Sequence, residues 1–229
     1  MIDHVHDLTS VREATDRLLA AAGTLDDAAV AEPSRLPGWS RGHVLAHLAR
    51  NADALVNVLQ GRPMYVSGEA READIERDAP RPLAAQLDDV RESAARFRAA
   101  SEAPADWNRT VELRNGVTDQ AARIPFRRLV EVELHHVDLG IGYELEDLPG
   151  DFVEREIDFL AERFSGHKDV PPTELSVDGG RTWSTGGGAG GDTVTVRGSA
   201  ADVLGWLAGR RDGGGLKILN GTLPALPPL

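Results

Sequence analysis

The chain has no cysteine. That removes disulfides, thiolate metal ligands and a cysteine nucleophile of its own, so any thiol chemistry needs a thiol supplied from solution. There is no run of about 18 apolar residues, so no transmembrane helix is expected. The N-terminal stretch Met1-Ile-Asp-His-Val-His-Asp7 has neither a basic nor an apolar region, so no signal peptide is expected and the protein is read as cytoplasmic. Lysine is nearly missing: of 25 basic residues only Lys168 and Lys217 are lysines. The arginines form no cluster and the net charge is −12, so neither a nucleic acid nor a membrane surface is an expected partner. The glycine-rich run Gly186–Gly191 lacks the Lys-Ser/Thr and the strand–helix spacing of a phosphate loop or a dinucleotide fingerprint.

What is there is enough for a core: 41% of 229 residues are hydrophobic. Four stretches read as long amphipathic helices: 8–23, capped by Thr9 or Ser10; 41–60, capped by Ser40 and ended by Gly61; 82–102, opened by Pro82; and a fourth opened by Pro125. Residues 24–36 read as a connector with a short helix at 26–31, residues 64–80 as a polar loop, and 104–124 as irregular with a turn at Asn115-Gly116. Beyond Pro149-Gly150 the pattern changes. A helix at 151–165 is followed by Thr173–Val177 and Arg181–Ser184 flanking the turn Asp178-Gly179-Gly180, a strand at 193–197, a helix at 200–210 capped by Ser199, and a short strand or extended tail at 216–219. The expected fold class is α+β, with a four-helix domain at 1–148 and a smaller α-β-β-β-α domain at 149–229.

The most informative stretch is Arg128-Leu-Val-Glu-Val-Glu-Leu-His-His-Val-Asp-Leu-Gly140. At about 100° per residue, Val137, Val130, Ile141, Leu134, Leu139 and Val132 form one apolar arc with Asp138, Glu131 and His135 at its centre. Glu131 and His135 are therefore expected to point inward, one turn apart. A buried carboxylate and imidazole are costly unless paired or bound to a metal. The pair is either a hydrogen bond that fixes helix packing or half of a metal or catalytic site. On the second helix His47 lies at the edge of the apolar arc, while His43 lies further round and reads as solvated. His47, Glu131 and His135 together make two nitrogens and a carboxylate, a set that binds a divalent first-row ion and leaves positions open. Glu133 and His136 are a rival pair on the opposite face.

These residues carry a resemblance. Leu36-Pro-Gly-Trp-Ser-Arg-Gly-His-Val-Leu-Ala-His47, the stretch Arg128–Leu139 and Gly205-Trp-Leu-Ala-Gly-Arg210 resemble the mycothiol-dependent maleylpyruvate isomerase family of actinobacteria. The resemblance spans nearly the whole chain and implies a DinB-like four-helix fold for the first half. It implies Zn2+ held by His47, Glu131 and His135, a role in activity for Arg210, and mycothiol as the borrowed thiol. The implied reaction is cis–trans isomerisation of a maleylpyruvate-like substrate through thiolate addition. The alternatives are a mycothiol S-transferase acting on another electrophile, or a module that binds metal and thiol without turnover. Arg210 would clamp a substrate carboxylate, with Arg77 as a second candidate for substrate binding. The expected partners are a small-molecule substrate and a low-molecular-weight thiol, and the chain is read as a monomer.

Overall fold

The computed structural model describes residues 2–103 and 106–228, and these contain eight α-helices and two small sheets. They divide into two compact units, one ending at Tyr143 and the other beginning at Glu144. None of the described helices is long and apolar enough to cross a membrane.

In the first unit four long helices, α1 (His4–Ala22), α3 (Arg41–Leu59), α5 (Leu83–Glu102) and α6 (Ile124–Asp138), pack in a closed ring, α1 on α6, α6 on α3, α3 on α5 and α5 on α1. Short α2 (Asp27–Ala31) and α4 (Gly68–Asp78) lie between them in sequence. Each long helix gives one apolar stripe to the core: Val11 and Leu18 from α1, Val44, Leu48 and Leu55 from α3, Val90 and Phe97 from α5, and Leu129, Val132 and Val137 from α6. α1 starts earlier than Thr9 or Ser10 would set it. Asp3 is the cap, its carboxylate accepting from His6 N, and the Thr9 and Ser10 hydroxyls bond back to carbonyls within the helix.

Two stretches expected to be irregular are ordered. Residues 68–78, read as loop, form α4. Ser67 caps it through Ala70 N, and only Ile75 of its apolar side chains is deeply buried. Ion pairs hold it instead: Asp78 accepts from Arg50 of α3, and Arg50 also reaches Asp89 of α5. Within 104–124, β1 (Thr110–Glu112) and β2 (Thr118–Gln120) form an antiparallel hairpin whose turn places Asn115 and Gly116 at positive φ.

The second unit opens with α7 (Gly150–Phe164). A four-stranded sheet follows in the order β4-β3-β5-β6, from β3 (Thr173–Val177), β4 (Thr182–Thr185), β5 (Val194–Gly198) and β6 (Lys217–Asn220), with β3 and β5 parallel and the other pairs antiparallel. Residues 144–148 belong to this unit because Leu145 packs on α8 (Ala200–Leu207) against Gly205. α8 stops at Leu207, short of Arg210. Gly209 turns the chain at φ +69, and the amides of Arg210 and Arg211 return to Gly205 O, a glycine-terminated helix end that fixes where Arg210 leaves the helix.

Candidate metal centre

Ser40 sets the register of α3. Its hydroxyl accepts from His43 N while His43 Nδ1 accepts from Ser40 N, a reciprocal cap. His43 is thereby committed to the helix start, with its Nε2 3.4 Å from Glu76. One turn on, His47 points into the bundle beside Trp39, 5% exposed. α6 supplies Glu131 and His135 from the facing side. It is tied to α3 by the fully buried Arg128, whose Nη1 donates to Leu48 O and Asn51 Oδ1. Burial without a carboxylate partner lowers that guanidinium to about 10.

The three side chains meet. Nε2 of His47 is 2.9 Å and Nε2 of His135 is 3.2 Å from the same oxygen, Glu131 Oε2, and the imidazoles are edge-on with centroids 4.7 Å apart. One ligand atom from each lies within 4.8 Å of the others. Burial alone would raise the Glu131 carboxyl. The hydrogen bonds of His135 and His47 outweigh it and hold Glu131 well below the usual carboxylate range. His47 is pushed down to about 4 by burial, against the pull of Glu131, and is neutral at physiological pH. For His135 burial again pushes down, but the hydrogen bonds to Asp138 and Glu131 win and raise it.

Two further residues stand at this site, one with a weak sequence signal and one with none. Asp138, fully buried, accepts from His135 Nδ1 at 2.8 Å. A carboxylate on the outer nitrogen of a ligating histidine fixes ring and tautomer. Its signal is the i, i+3 spacing from His135 on the same arc. With the His135 proton given to Asp138, Nε2 is a lone pair facing a carboxylate oxygen, and only a cation, a proton or a metal ion, relieves that arrangement. The donor set therefore fits a divalent ion with open positions. The second residue is Arg71 on α4, whose Nη2 is 3.1 Å from His47 Nδ1. Nothing in the sequence marks it, because α4 itself is not legible there.

The rival pair lies elsewhere. Glu133 accepts from Arg17 of α1 and from Tyr143 Oη, and His136 stacks on Tyr143 at 4.0 Å. Both are buried, not solvated as the opposite side of an amphipathic helix would be, because α1 covers that face of α6. Arg77, on α4 and mostly exposed, has its guanidinium on Asp78 and Asp74. Arg210 stands in the second unit, half-buried at the end of α8, its Nη1 donating to Ala208 O.

The family model described as Mycothiol maleylpyruvate isomerase N-terminal domain matches residues 11–140, and the MDMPI C-terminal domain model matches residues 147–228. A crystal structure of the mycothiol-dependent maleylpyruvate isomerase is similar at a TM-score of 0.90 and 28% identity, over 99% of this chain and 97% of that one. A histidine-to-alanine variant of that isomerase is similar at 0.89 and 27%, with the same coverage. No curated protein matches the chain. With both family models matched in order and the solved structures covered nearly end to end, the chain belongs to the mycothiol-dependent maleylpyruvate isomerase family of enzymes.

Proposed function

We propose that His47, Glu131 and His135 hold one divalent first-row ion, zinc by the chemistry of the donor set, and that the protein is a mycothiol-dependent cis–trans isomerase of a maleylpyruvate-like acid. The observation that carries this reading is the convergence of those three ligand atoms within 4.8 Å, in a member of this family that has no cysteine. When bound, such an ion acts as a Lewis acid on which a thiol from solution loses its proton near neutral pH. Isomerisation requires the substrate's cis double bond to become single for a moment, and reversible thiol addition achieves that.

The chain's residues divide the work. His47 and His135 give nitrogen and Glu131 gives oxygen, which leaves outer positions free. Asp138 holds the Nδ1 proton of His135, so the neutral ring presents its Nε2 lone pair toward Glu131. Arg128 holds α6 against α3, so the ligands of the two helices keep their spacing. Arg210 is assigned to a substrate carboxylate, which its planar fork matches with two parallel donors.

The test is metal content followed by turnover. The purified protein should carry about one equivalent of ion, and His47→Ala, Glu131→Ala and His135→Ala should each lose it. Turnover of a maleylpyruvate-type acid should require added thiol and stop with a chelator. Arg210→Lys should keep the metal and raise KM, since Lys retains the charge without the fork. Full-rate turnover in the absence of thiol would refute the borrowed-nucleophile reading.

A further inference from the structure

The two histidines of the centre are wired in opposite senses. The outer nitrogen of His135 faces an acceptor, the Asp138 carboxylate, so its proton sits outside and its inner nitrogen is free to bind. The outer nitrogen of His47 faces Arg71 Nη2 at 3.1 Å. A guanidinium has donors and no acceptor, so His47 Nδ1 must supply the lone pair, and the proton of the neutral ring sits on Nε2, pointing at Glu131. An ion bound through Nε2 requires that proton on Nδ1, where it would meet an N–H of Arg71. As it stands, this contact stabilises the tautomer that cannot ligate.

Arg71 also has somewhere to go. Its guanidinium carbon is 5.8 Å from the centre of the Tyr65 ring, and its other terminal nitrogen is on the exposed Glu72. Tyr65 lines a cavity of about 570 Å³ in the first unit, which collects Arg62 from the end of α3 with Arg109 and Arg114 from around the β1–β2 hairpin. In a protein of net charge −12, three arginines and one acid, Glu112, on a single cavity wall form a local anion-attracting surface. Arg71 touches both Tyr65 of that cavity and the ligand His47.

We propose that Arg71 is a carboxylate-binding residue of this centre, held on His47 Nδ1 until the ion and an acidic ligand arrive, and transferred to the ligand's carboxylate when they do. The proposal rests on the metal reading of His47, Glu131 and His135. It couples the two binding events: each ligand draws Arg71 toward the arrangement the other needs, so each tightens the other by the same factor.

The experiment measures cobalt(II) affinity by competition with a chromophoric chelator, with and without maleate as an unreactive dicarboxylate probe. It compares wild type with Arg71→Met and Arg71→Gln, using circular dichroism to confirm folding. Arg71→Met removes the donor from Nδ1, so cobalt should bind about tenfold more tightly than to wild type, 1.4 kcal/mol being a factor of ten. Arg71→Gln can place a carbonyl on Nδ1–H and should bind cobalt at least as tightly as the Met variant. Maleate should tighten cobalt binding to wild type by a larger factor than it does in the Met variant, which keeps only the ligand's contacts with the ion and with Arg210. A purely structural Arg71 predicts the opposite sign, because losing a supporting residue weakens a metal site. Equal or weaker cobalt binding in both folded variants would overturn the proposal while leaving the metal reading intact. A wild-type protein that takes up no cobalt would overturn the metal reading, and this proposal with it.

Discussion

Asp138→Asn tests whether the centre is supported from behind as its geometry implies. The Asp138 carboxylate is fully buried and accepts from His135 Nδ1 at 2.8 Å. A hydrogen bond to a charged group contributes about 1.5–3 kcal/mol, and a neutral acceptor gives roughly half of that. Asparagine, with its carbonyl turned to the ring, should therefore lose about 0.75–1.5 kcal/mol of support for the ligating form of His135, which is about a three- to twelvefold fall in metal affinity. Asp138→Ala loses the acceptor altogether and should fall by roughly ten- to a hundredfold, the range seen when the outer partner of a ligating histidine is removed.

The pH profile adds a second readout. Asp138 and Glu131 together raise His135 against the effect of burial. Metal and proton compete for the same inner nitrogen, so wild-type affinity should be full above the raised value and decline as pH falls through it. In Asp138→Asn part of that raising is gone. The plateau affinity should be lower, but the decline should begin at a lower pH, so the two curves approach one another in acid. Isothermal titration across pH 5–8.5, about the window in which a histidine titrates, measures both. Plateau affinities within twofold of wild type in both variants would refute the role given to Asp138.

Two predictions concern the scaffold that carries the site. A Cβ at Gly42 would lie 2.2 Å from Ala79 O, a backbone atom that cannot yield, so Gly42→Ala should destabilise the protein by about 1–3 kcal/mol in urea unfolding; a wild-type midpoint would contradict that close approach of α3 to the chain following α4. Asp78 is buried, which would raise its carboxyl, but Arg77, Arg81 and Arg50 outweigh the burial and hold it below the ordinary value of 3.8. Its contribution to stability is thus full above that ordinary value and is lost as pH falls through the lowered one. Asp78→Asn should cost about 1–3 kcal/mol at pH 7, and the gap to wild type should narrow below about pH 4; a gap that stays constant with pH would refute the ion-pair account of how α4 is held.

Legibility in the sequence followed the source of each element's stability. α3, α5 and α6 have an apolar stripe together with a cap or an opening proline, and all of these are local in sequence. So is the glycine turn of the β3–β4 hairpin. α4 has one deeply buried apolar side chain and is held by Arg50 and Asp89, residues 28 and 11 positions from Asp78. No window of sequence shows such partners, so the helix was invisible and Arg71 with it. The end of α8 is a different case: the apolar pattern runs on toward Arg210 and masks a local stop, made by Gly209 and the return of two amides to Gly205 O.

α6 shows how far periodicity reaches. A helical wheel separates Glu131 and His135 from Glu133 and His136, and it does identify which pair faces His47 on α3. It ranks their burial wrongly, because it assumes one wet side, and α1 covers the side it leaves open. The Glu133 side chain is 1% exposed while that of Glu131 is 32% exposed. Two carboxylates two residues apart therefore do different jobs, and the amide substitution separates them. Glu133→Gln loses the charge facing Arg17 but can still accept from Tyr143 Oη. Arg17 is 41% exposed and can turn to water, so the expected cost is about 1–2 kcal/mol of stability with metal content unchanged. Glu131→Gln removes an anionic ligand from the mouth of the centre. It should abolish metal binding, the readout that separates it from Glu133→Gln. The crossed result, metal lost in Glu133→Gln and kept in Glu131→Gln, would move the centre to the Glu133–His136 face and refute the assignment to His47, Glu131 and His135.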